Sequence, residues 1–275
     1  MLTCRRAALV SVAAAFGLYM TRVEPRWLRV IRLRLAVPDL PPAFEGYRIV
    51  HVADLHLGVA LNDARLPALV ETINAQGADL IAITGDFVTG QTAHLGDNCR
   101  SLAALHAPDG VWGCLGNHDY YVSPRLVREA IEHARIRLLI NAHHVVQRGP
   151  DRLVIAGVDD VLRGRPDLGA ALAGAPDAPA ILLAHEPDYA RVAAADRRVT
   201  LMLAGHTHGG QVRLPGLGAL LLPQLGHVYP AGMYQVGSLA LYVTQGAGTG
   251  RFVIRLNCRP EIAVITLRRA PEPAR

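Results

Sequence analysis

The sequence predicts an α/β fold in which two sheets pack face to face with helices outside. From about Arg48 to Ala204, apolar strand-like runs alternate with helix-like stretches, the pattern of strands joined by helical crossovers. From Gln211 to Leu267 many short strands follow one another with Gly and Pro between them, which reads as a second, antiparallel-rich sheet. With 275 residues, 51% of them hydrophobic, the chain can bury a large core. No linker, repeat or low-complexity block divides it, so we expect one domain over residues 23–270, preceded by a distinct segment 1–22 and followed by a frayed tail 271–275.

In chain order, residues 1–22 differ in kind from the rest. Arg5-Arg6 precedes the apolar run Ala7 to Met20, which is within the range of a signal-like h-region and short of the ~20 residues that span a bilayer comfortably. Cleavage at Ala13-Ala14-Ala15 would cut the run itself, so we expect an uncleaved membrane anchor, a short transmembrane helix. Pro38 to Pro42 is a punctuated turn. Strands are expected at Ile49 to Ala53, Leu80 to Thr84, Gly110 to Leu115, Leu153 to Gly157, Ala180 to Ala184 and Leu201 to Ala204, and helices at Leu66 to Ala75, Asn98 to His106 and Pro124 to His133.

Polar segments follow several of those strands: Asp54-Leu55-His56, Gly85-Asp86, Gly116-Asn117-His118-Asp119, His185 and Gly205-His206-Thr207-His208-Gly209-Gly210. Aspartate, asparagine and imidazole are the ligand types that hold paired divalent ions while leaving positions open for water and a phosphate oxygen. A carboxylate at a buried strand end can touch both ions, and Asp86 is best placed to be that bridge. Asp54 and His56, two residues apart, can reach one ion; Asn117 suits the other, adding a ligand without negative charge that would repel phosphate. The glycines around His206 and His208 let each imidazole face a different ion. Mixed nitrogen and oxygen donors favour Mn2+, Fe2+ or Zn2+ over Mg2+. Such a pair hydrolyses phosphoester or phosphoanhydride bonds.

The order DxH, GD, GNHD, a lone H and GHxH resembles the calcineurin-like metallophosphoesterase superfamily. The resemblance runs from about Trp27 to Leu267 and implies a four-layer α-β-β-α sandwich of two mixed sheets. It implies Asp54, His56, Asp86 and His208 on one metal and Asp86, Asn117, His185 and His206 on the other, with a bridging hydroxide attacking phosphorus in line. His118 is then the catalytic histidine that contacts phosphate and assists the leaving group, and Asp119 orients it through its other ring nitrogen. Ala53 departs from the serine usual before DxH, which removes a hydroxyl but no ligand. The segments Glu24-Pro25-Arg26-Trp27-Leu28, Gly209-Gly210-Gln211 and Arg255-Leu256-Asn257-Cys258-Arg259-Pro260-Glu261-Ile262 are similar to a bacterial membrane-associated branch that cleaves UDP-2,3-diacylglucosamine in lipid A synthesis. The implied substrate is a phosphate ester or a nucleotide-lipid; a general cell-envelope phosphodiesterase or phosphatase is the alternative, and a non-catalytic metal-binding scaffold is disfavoured because every ligand position is filled.

Around that site, Gly246, Gly248 and Gly250 are expected to line the pocket, with Arg251 or Arg255 placed to contact a second phosphate. Arg22, Arg26, Arg29, Arg32 and Arg34 outnumber the two arginines before the apolar run, which favours the cytoplasmic over the periplasmic face of the inner membrane, although Arg32 and Arg34 alternate with leucines as the solvent face of a strand does. The remaining histidines match no ligand spacing; His51 reads as a core residue. Cys4, Cys99, Cys114 and Cys258 are too few and scattered for a disulfide framework, and Cys114 reads as a small buried hydrophobe. The net charge of +5, without basic patches interleaved with aromatics, excludes a nucleic-acid binder.

Overall fold

A computed structural model describes the chain except for residue 1 and residues 59–60, 62–64, 91–94, 251 and 271–275; the expected tail and Arg251 lie outside the described residues. Strand-forming runs in the first half, joined by the last strand of the chain, build one six-stranded sheet. Its strands are β1 (Arg29–Val37), β2 (Arg48–Val52), β3 (Leu80–Thr84), β4 (Val111–Cys114), β5 (Arg137–Leu138) and β14 (Glu261–Arg269), in the order β1-β14-β2-β3-β4-β5. The second sheet is made of β6 (Ala142–Arg148), β7 (Asp151–Gly157), β8 (Ala180–Leu183), β9 (Val199–Ala204), β12 (Gly232–Val236) and β13 (Leu239–Val243), in the order β12-β13-β9-β8-β7-β6. A two-stranded ribbon, β10 (Arg213–Leu214) with β11 (Gly218–Ala219), stands apart.

The alternation of side chains across each strand explains the layering. In β3 all five residues are buried, as expected of a parallel strand covered on both faces. Leu80 and Ala82 point between the sheets, where they meet Ile155, Ile181, Leu201, Leu203 and Ile265. Ile81 and Ile83 point outward, against helices α2 (Leu66–Asn74), α3 (Leu95–Arg100) and α5 (Pro124–His133). Buried Leu66, Leu69, Val70 and Ile73 of α2 fall at helical spacing. The outer face of the second sheet, with Val154, Leu182 and Met202, packs against residues of α6 (Leu168–Ala171) and α7 (Ala190–Ala193). The result is the expected α-β-β-α sandwich.

Three expectations change. The second sheet is not antiparallel-rich: β7, β8, β9 and β13 run parallel, and only the outer pairs β6·β7 and β12·β13 are antiparallel. The last strand leaves that sheet altogether. β14 inserts between β1 and β2 of the first, parallel to one and antiparallel to the other, because its alternate residues Ala263, Ile265 and Leu267 fill the inter-sheet core. The expected helix Asn98 to His106 is α3 followed by a 3-10 turn, Ser101–Ala104.

The N-terminal helix, α1 (Leu2–Leu18), continues into a π-turn, Tyr19–Val23. No helix among the described residues is long and apolar enough to cross a membrane, so a transmembrane helix is not supported. The arginines after it are partly accounted for by the fold. Arg29 pairs with buried Glu261 at 2.6 Å, Arg32 bonds Gln76, and Arg32 and Arg34 lie on the exposed face of β1. The end of the segment is tied to the domain: Glu24, 1% exposed, accepts a hydrogen bond from the Cys258 amide through Oε1 at 2.6 Å.

Because Ile265 is fully buried between Leu33 and Ile49 on the neighbouring strands, Ile265→Ala should cost about 2–5 kcal/mol of stability. Urea unfolding should show a lowered midpoint with an unchanged m-value.

Candidate metal centre

The carboxyl ends of the central strands face one another across the sandwich, and the polar segments sit just beyond them. Asp54 lies two residues past the end of β2, Asp86 two past β3, His185 two past β8 and His206 two past β9; Asn117 opens α4 (Asn117–Val122) after β4. Asp54, His56, Asp86, Asn117, His185, His206 and His208 are all buried. Ligand atoms of Asp54, His56, Asp86 and His208 lie within 4.8 Å of one another, as do those of His185, Glu186 and His206. Asp86 links the two groups, its Oδ2 standing 3.5 Å from His56 Nε2 and 3.2 Å from His185 Nε2. The structure thus brings together every residue the sequence singled out as a ligand.

Backbone conformation makes this convergence possible. Asp54, His56, Asp86, His206 and His208 all have positive φ, between 46° and 71°, a region that costs a non-glycine residue roughly 1–3 kcal/mol and that concentrates at functional sites. Neighbouring glycines make room. A Cβ on Gly85 would stand 2.5 Å from His185 Nδ1, and one on Gly205 2.7 Å from Asp54 Oδ2. Ala53, where a serine was expected, packs its methyl against Gly205.

Hydrogen bonds fix the imidazole tautomers. His185 Nδ1 donates to the Thr84 carbonyl at 2.8 Å, so Nε2, which faces the Asp86 carboxylate and has no other partner among the described residues, is the nitrogen whose proton a metal ion would replace. His206 Nε2 donates to the Gln224 carbonyl at 2.8 Å, leaving Nδ1 aimed at Asn117 Oδ1, 3.0 Å away. His56 Nδ1 meets the Thr89 hydroxyl, and its Nε2 stands 2.9 Å from Nε2 of His208, which is 3.6 Å from Asp54 Oδ1. In the neutral rings, acceptor therefore faces acceptor at His185–Asp86 and at His206–Asn117 within a buried site. Buried polar groups in such an arrangement require cations between them, and the donor set of imidazoles, carboxylates and one amide fits two borderline divalent ions.

Protonation follows the same logic. Burial holds His56 down at about 3 and His206 at about 4, so both are neutral and ready to bind metal. Burial would lower His185 too, but the Asp86 carboxylate outweighs it and holds that imidazole well above its ordinary range; the site then uses a proton where a metal ion belongs. Burial, together with the Asp86 charge, pushes Asp54 up to about 7.

Four positions depart from expectation. Asp119 does not orient His118: its oxygens accept from the backbone amides of Gly116 at 2.9 Å and Val88 at 3.2 Å. It occupies the third position of α4, from which a carboxylate reaches back to cap the helix, so it shapes the loop carrying Asn117. His118 points the other way, into a cavity of about 570 Å³ that it lines with Asp86, Asn117, His206 and His208. Arg255 contacts no phosphate position. It is fully buried and donates to backbone carbonyls. Gly246 and Gly248 pack against Asp54, and only Gly250 lines the cavity.

Residues missed in the sequence are Thr89, Gln224 and Glu186, which are adjacent to ligands only in space or carry no motif. His51, Cys99, Cys114 and Cys258 are buried, as core residues. A larger cavity of about 700 Å³ lies beside the starts of β7, β8 and β9 and contains none of the site residues.

Comparison with known proteins agrees with this geometry. The model of the calcineurin-like phosphoesterase family matches residues 47–210. The chain belongs to that family. It is 33% identical to an uncharacterised metallophosphoesterase, YkuE, of Bacillus subtilis over 95% of this chain and 93% of the relative. It is 32% identical to the phosphodiesterase YaeI of Escherichia coli, over 95% and 96%. It is also 26% identical to the UDP-2,3-diacylglucosamine pyrophosphatase LpxG of Chlamydia muridarum, over 96% of both. The NAD nucleotidase of Haemophilus influenzae shares the fold at 12% identity and a TM-score of 0.51, over 74% of this chain and 51% of that one, so the chain spans about half of that structure's length. This calcineurin-like phosphoesterase is a metal-dependent hydrolase of phosphoester bonds.

Metal uptake by the chelator-treated protein should release protons in a pH-dependent way. At pH 6 Asp54, with its pKa near 7, is mostly protonated and must ionise on binding; at pH 8.5 it is already ionised. Calorimetry in buffers of different ionisation enthalpy should find roughly one more proton released at pH 6 than at pH 8.5. A release independent of pH contradicts the raised Asp54 pKa.

Proposed function

We propose that the enzyme hydrolyses a phosphoanhydride or phosphodiester bond in a lipid-bearing substrate, with UDP-2,3-diacylglucosamine as the leading candidate. The observation that carries this reading is the composition of the cavity. Its floor is Asp86, Asn117, His118, His206 and His208, while its walls are Met20, Val212, Leu220, Leu221, Leu222, Phe252 and Ile254. Leu221 and Phe252 are 81% and 68% exposed. Such a patch beside a polar centre suits a ligand with a charged head and an apolar tail. The similarity to the Chlamydia pyrophosphatase supports the nucleotide-lipid choice.

In this reading Asp54, His56, Asp86 and His208 would hold one divalent ion and Asp86, Asn117, His185 and His206 the other. When bound, the ions supply a water-derived nucleophile near neutral pH and neutralise charge gathering on the phosphate oxygens. The chain's own residues do the rest. Thr84 and Gln224 carbonyls lock the His185 and His206 tautomers, the second partner that keeps ligands aimed. Asn117 adds a neutral oxygen, so the phosphate meets no extra negative charge. The His118 ring stands edge-on to His56 with centroids 4.8 Å apart, on the cavity side, where it hydrogen-bonds or protonates the departing oxygen. Leucines and Phe252 receive the acyl chains and exclude water.

Met20 lines the cavity wall, which supports a position for the end of the N-terminal segment beside the substrate. Residues 1–22 act as a membrane-surface anchor for the domain 23–270, with Trp27, stacked under Arg259 at 4.0 Å, and Arg22 and Arg26 meeting anionic lipid. The cytoplasmic face of the inner membrane is the side we favour.

The test is kcat/KM for UDP-2,3-diacylglucosamine against a simple aryl phosphodiester, using metal-loaded protein. The nucleotide-lipid should be preferred by at least roughly tenfold, a preference that Leu221→Asp removes. Equal constants would favour a general cell-envelope phosphodiesterase. His118→Ala should keep both ions and lose rate by about 10²–10⁴-fold, and unchanged turnover in that variant excludes its role.

A further inference from the structure

Arg255 is the largest fully buried side chain among the described residues, and no step of the hydrolysis uses it. A buried guanidinium needs acceptors for its five donors. Arg255 Nη2 donates to the carbonyls of Gln245 at 2.8 Å, Gly246 at 3.2 Å and Gly248 at 2.6 Å, and Nη1 to that of Cys258 at 2.8 Å. These carbonyls belong to the segment after β13 and to the turn before β14, so one side chain ties two loops together.

Both loops press against candidate ligands of one ion. The Ala247 and Gly248 amides donate to the carbonyls of Ala53 at 3.0 Å and Asp54 at 2.8 Å. A Cβ on Gly246 would stand 2.8 Å from Asp54 Cβ, and one on Gly248 2.6 Å from the Asp54 carbonyl oxygen. The backbone of this loop therefore lies flat on Asp54, a residue held at φ 55° that needs external support to stay there. On the other side, the Cys258 thiol donates to the His208 carbonyl at 3.0 Å, and Gly209 leaves room for that sulfur. Burial disfavours the Arg255 charge, and Cys258, Asp54 and Glu261 counter it only in part.

Building on the two-ion reading above, we propose that Arg255 is a positioning residue chiefly for one metal position. It braces Asp54 through residues 245–248 and His208 through Cys258, and it makes no direct contact with Asn117, His185 or His206; the link to the second group is the Asp54 carboxylate, which accepts the His206 amide at 3.0 Å. Loss of the guanidinium should thus cost one ion of the pair.

The experiment measures metal content and affinity, by elemental analysis and calorimetry with Mn2+, in the intact protein and in Arg255→Met, Arg255→Lys and Gly248→Ala. The last leaves Arg255 in place and pushes the loop off Asp54. The expected result is two ions in the parent chain, with one retained and the other weakened about 10–100-fold in Arg255→Met and Gly248→Ala. Arg255→Lys, which keeps the charge but not the fork of donors, should be intermediate, with kcat lowered and KM little changed. Circular dichroism shows which variants are folded, and if Arg255→Met is not, the other two decide. Folded variants that hold both ions with parental affinity overturn the role of Arg255. Failure of the parent chain itself to bind two ions overturns the two-ion reading instead.

Discussion

The carboxylate of Asp86, lying between an imidazole of each ligand group, is the interaction on which the site depends. Its Oδ2 is 3.5 Å from His56 and 3.2 Å from His185, and its Oδ1 accepts the His118 amide at 2.8 Å. A buried carboxylate so placed is intolerable without positive charge. Two cations sharing it as a ligand would resolve this, and the remaining residues of the site are placed to keep that carboxylate and its neighbours in position. The fold makes it possible because parallel strands from two stacked sheets end at the same edge, so loops from opposite halves of the chain meet there.

Local strain and close packing are the cost of the arrangement. Five candidate ligands sit in left-handed backbone conformations, stabilised by glycines where a methyl group would collide and by hydrogen bonds from loops distant in sequence. Such a site is unstable alone; ion binding should stabilise the folded state, by about 2.7 kcal/mol at a hundredfold excess over Kd. In the proposed function the apolar wall next to it would be the counterpart in substrate binding, with chemistry at the strand ends and selectivity in the Leu220–Leu222 segment and at Phe252.

The candidate ligands were legible in the sequence because each is a metal-binding residue type placed shortly after an apolar strand, a local fact. The α/β architecture was legible for a similar reason, since Leu80–Thr84 and its equivalents are strand-length apolar runs and Leu66, Leu69, Val70 and Ile73 keep helical period. What could not be read depends on long-range pairing. Nothing in residues 261–269 tells that they cross to the first sheet, or that β13 runs parallel to β9. Asp119 was recognised, but its partners, the Val88 and Gly116 amides, are set by the fold of two loops, so its work is to hold a loop and not to orient His118. Arg255 resembled a phosphate ligand because charge alone is visible in sequence; its burial among four carbonyls is not.

The measurement that tests the central claim most directly is the magnetic coupling of Mn2+ in the fully loaded protein by electron paramagnetic resonance, compared with Asp86→Asn. Two ions sharing one carboxylate, roughly 3.5–4 Å apart, should give the exchange-coupled spectrum of a dimanganese pair, lost in the variant. Isolated six-line Mn2+ signals at two ions per chain in the parent protein, or coupling that survives Asp86→Asn unchanged, would contradict it.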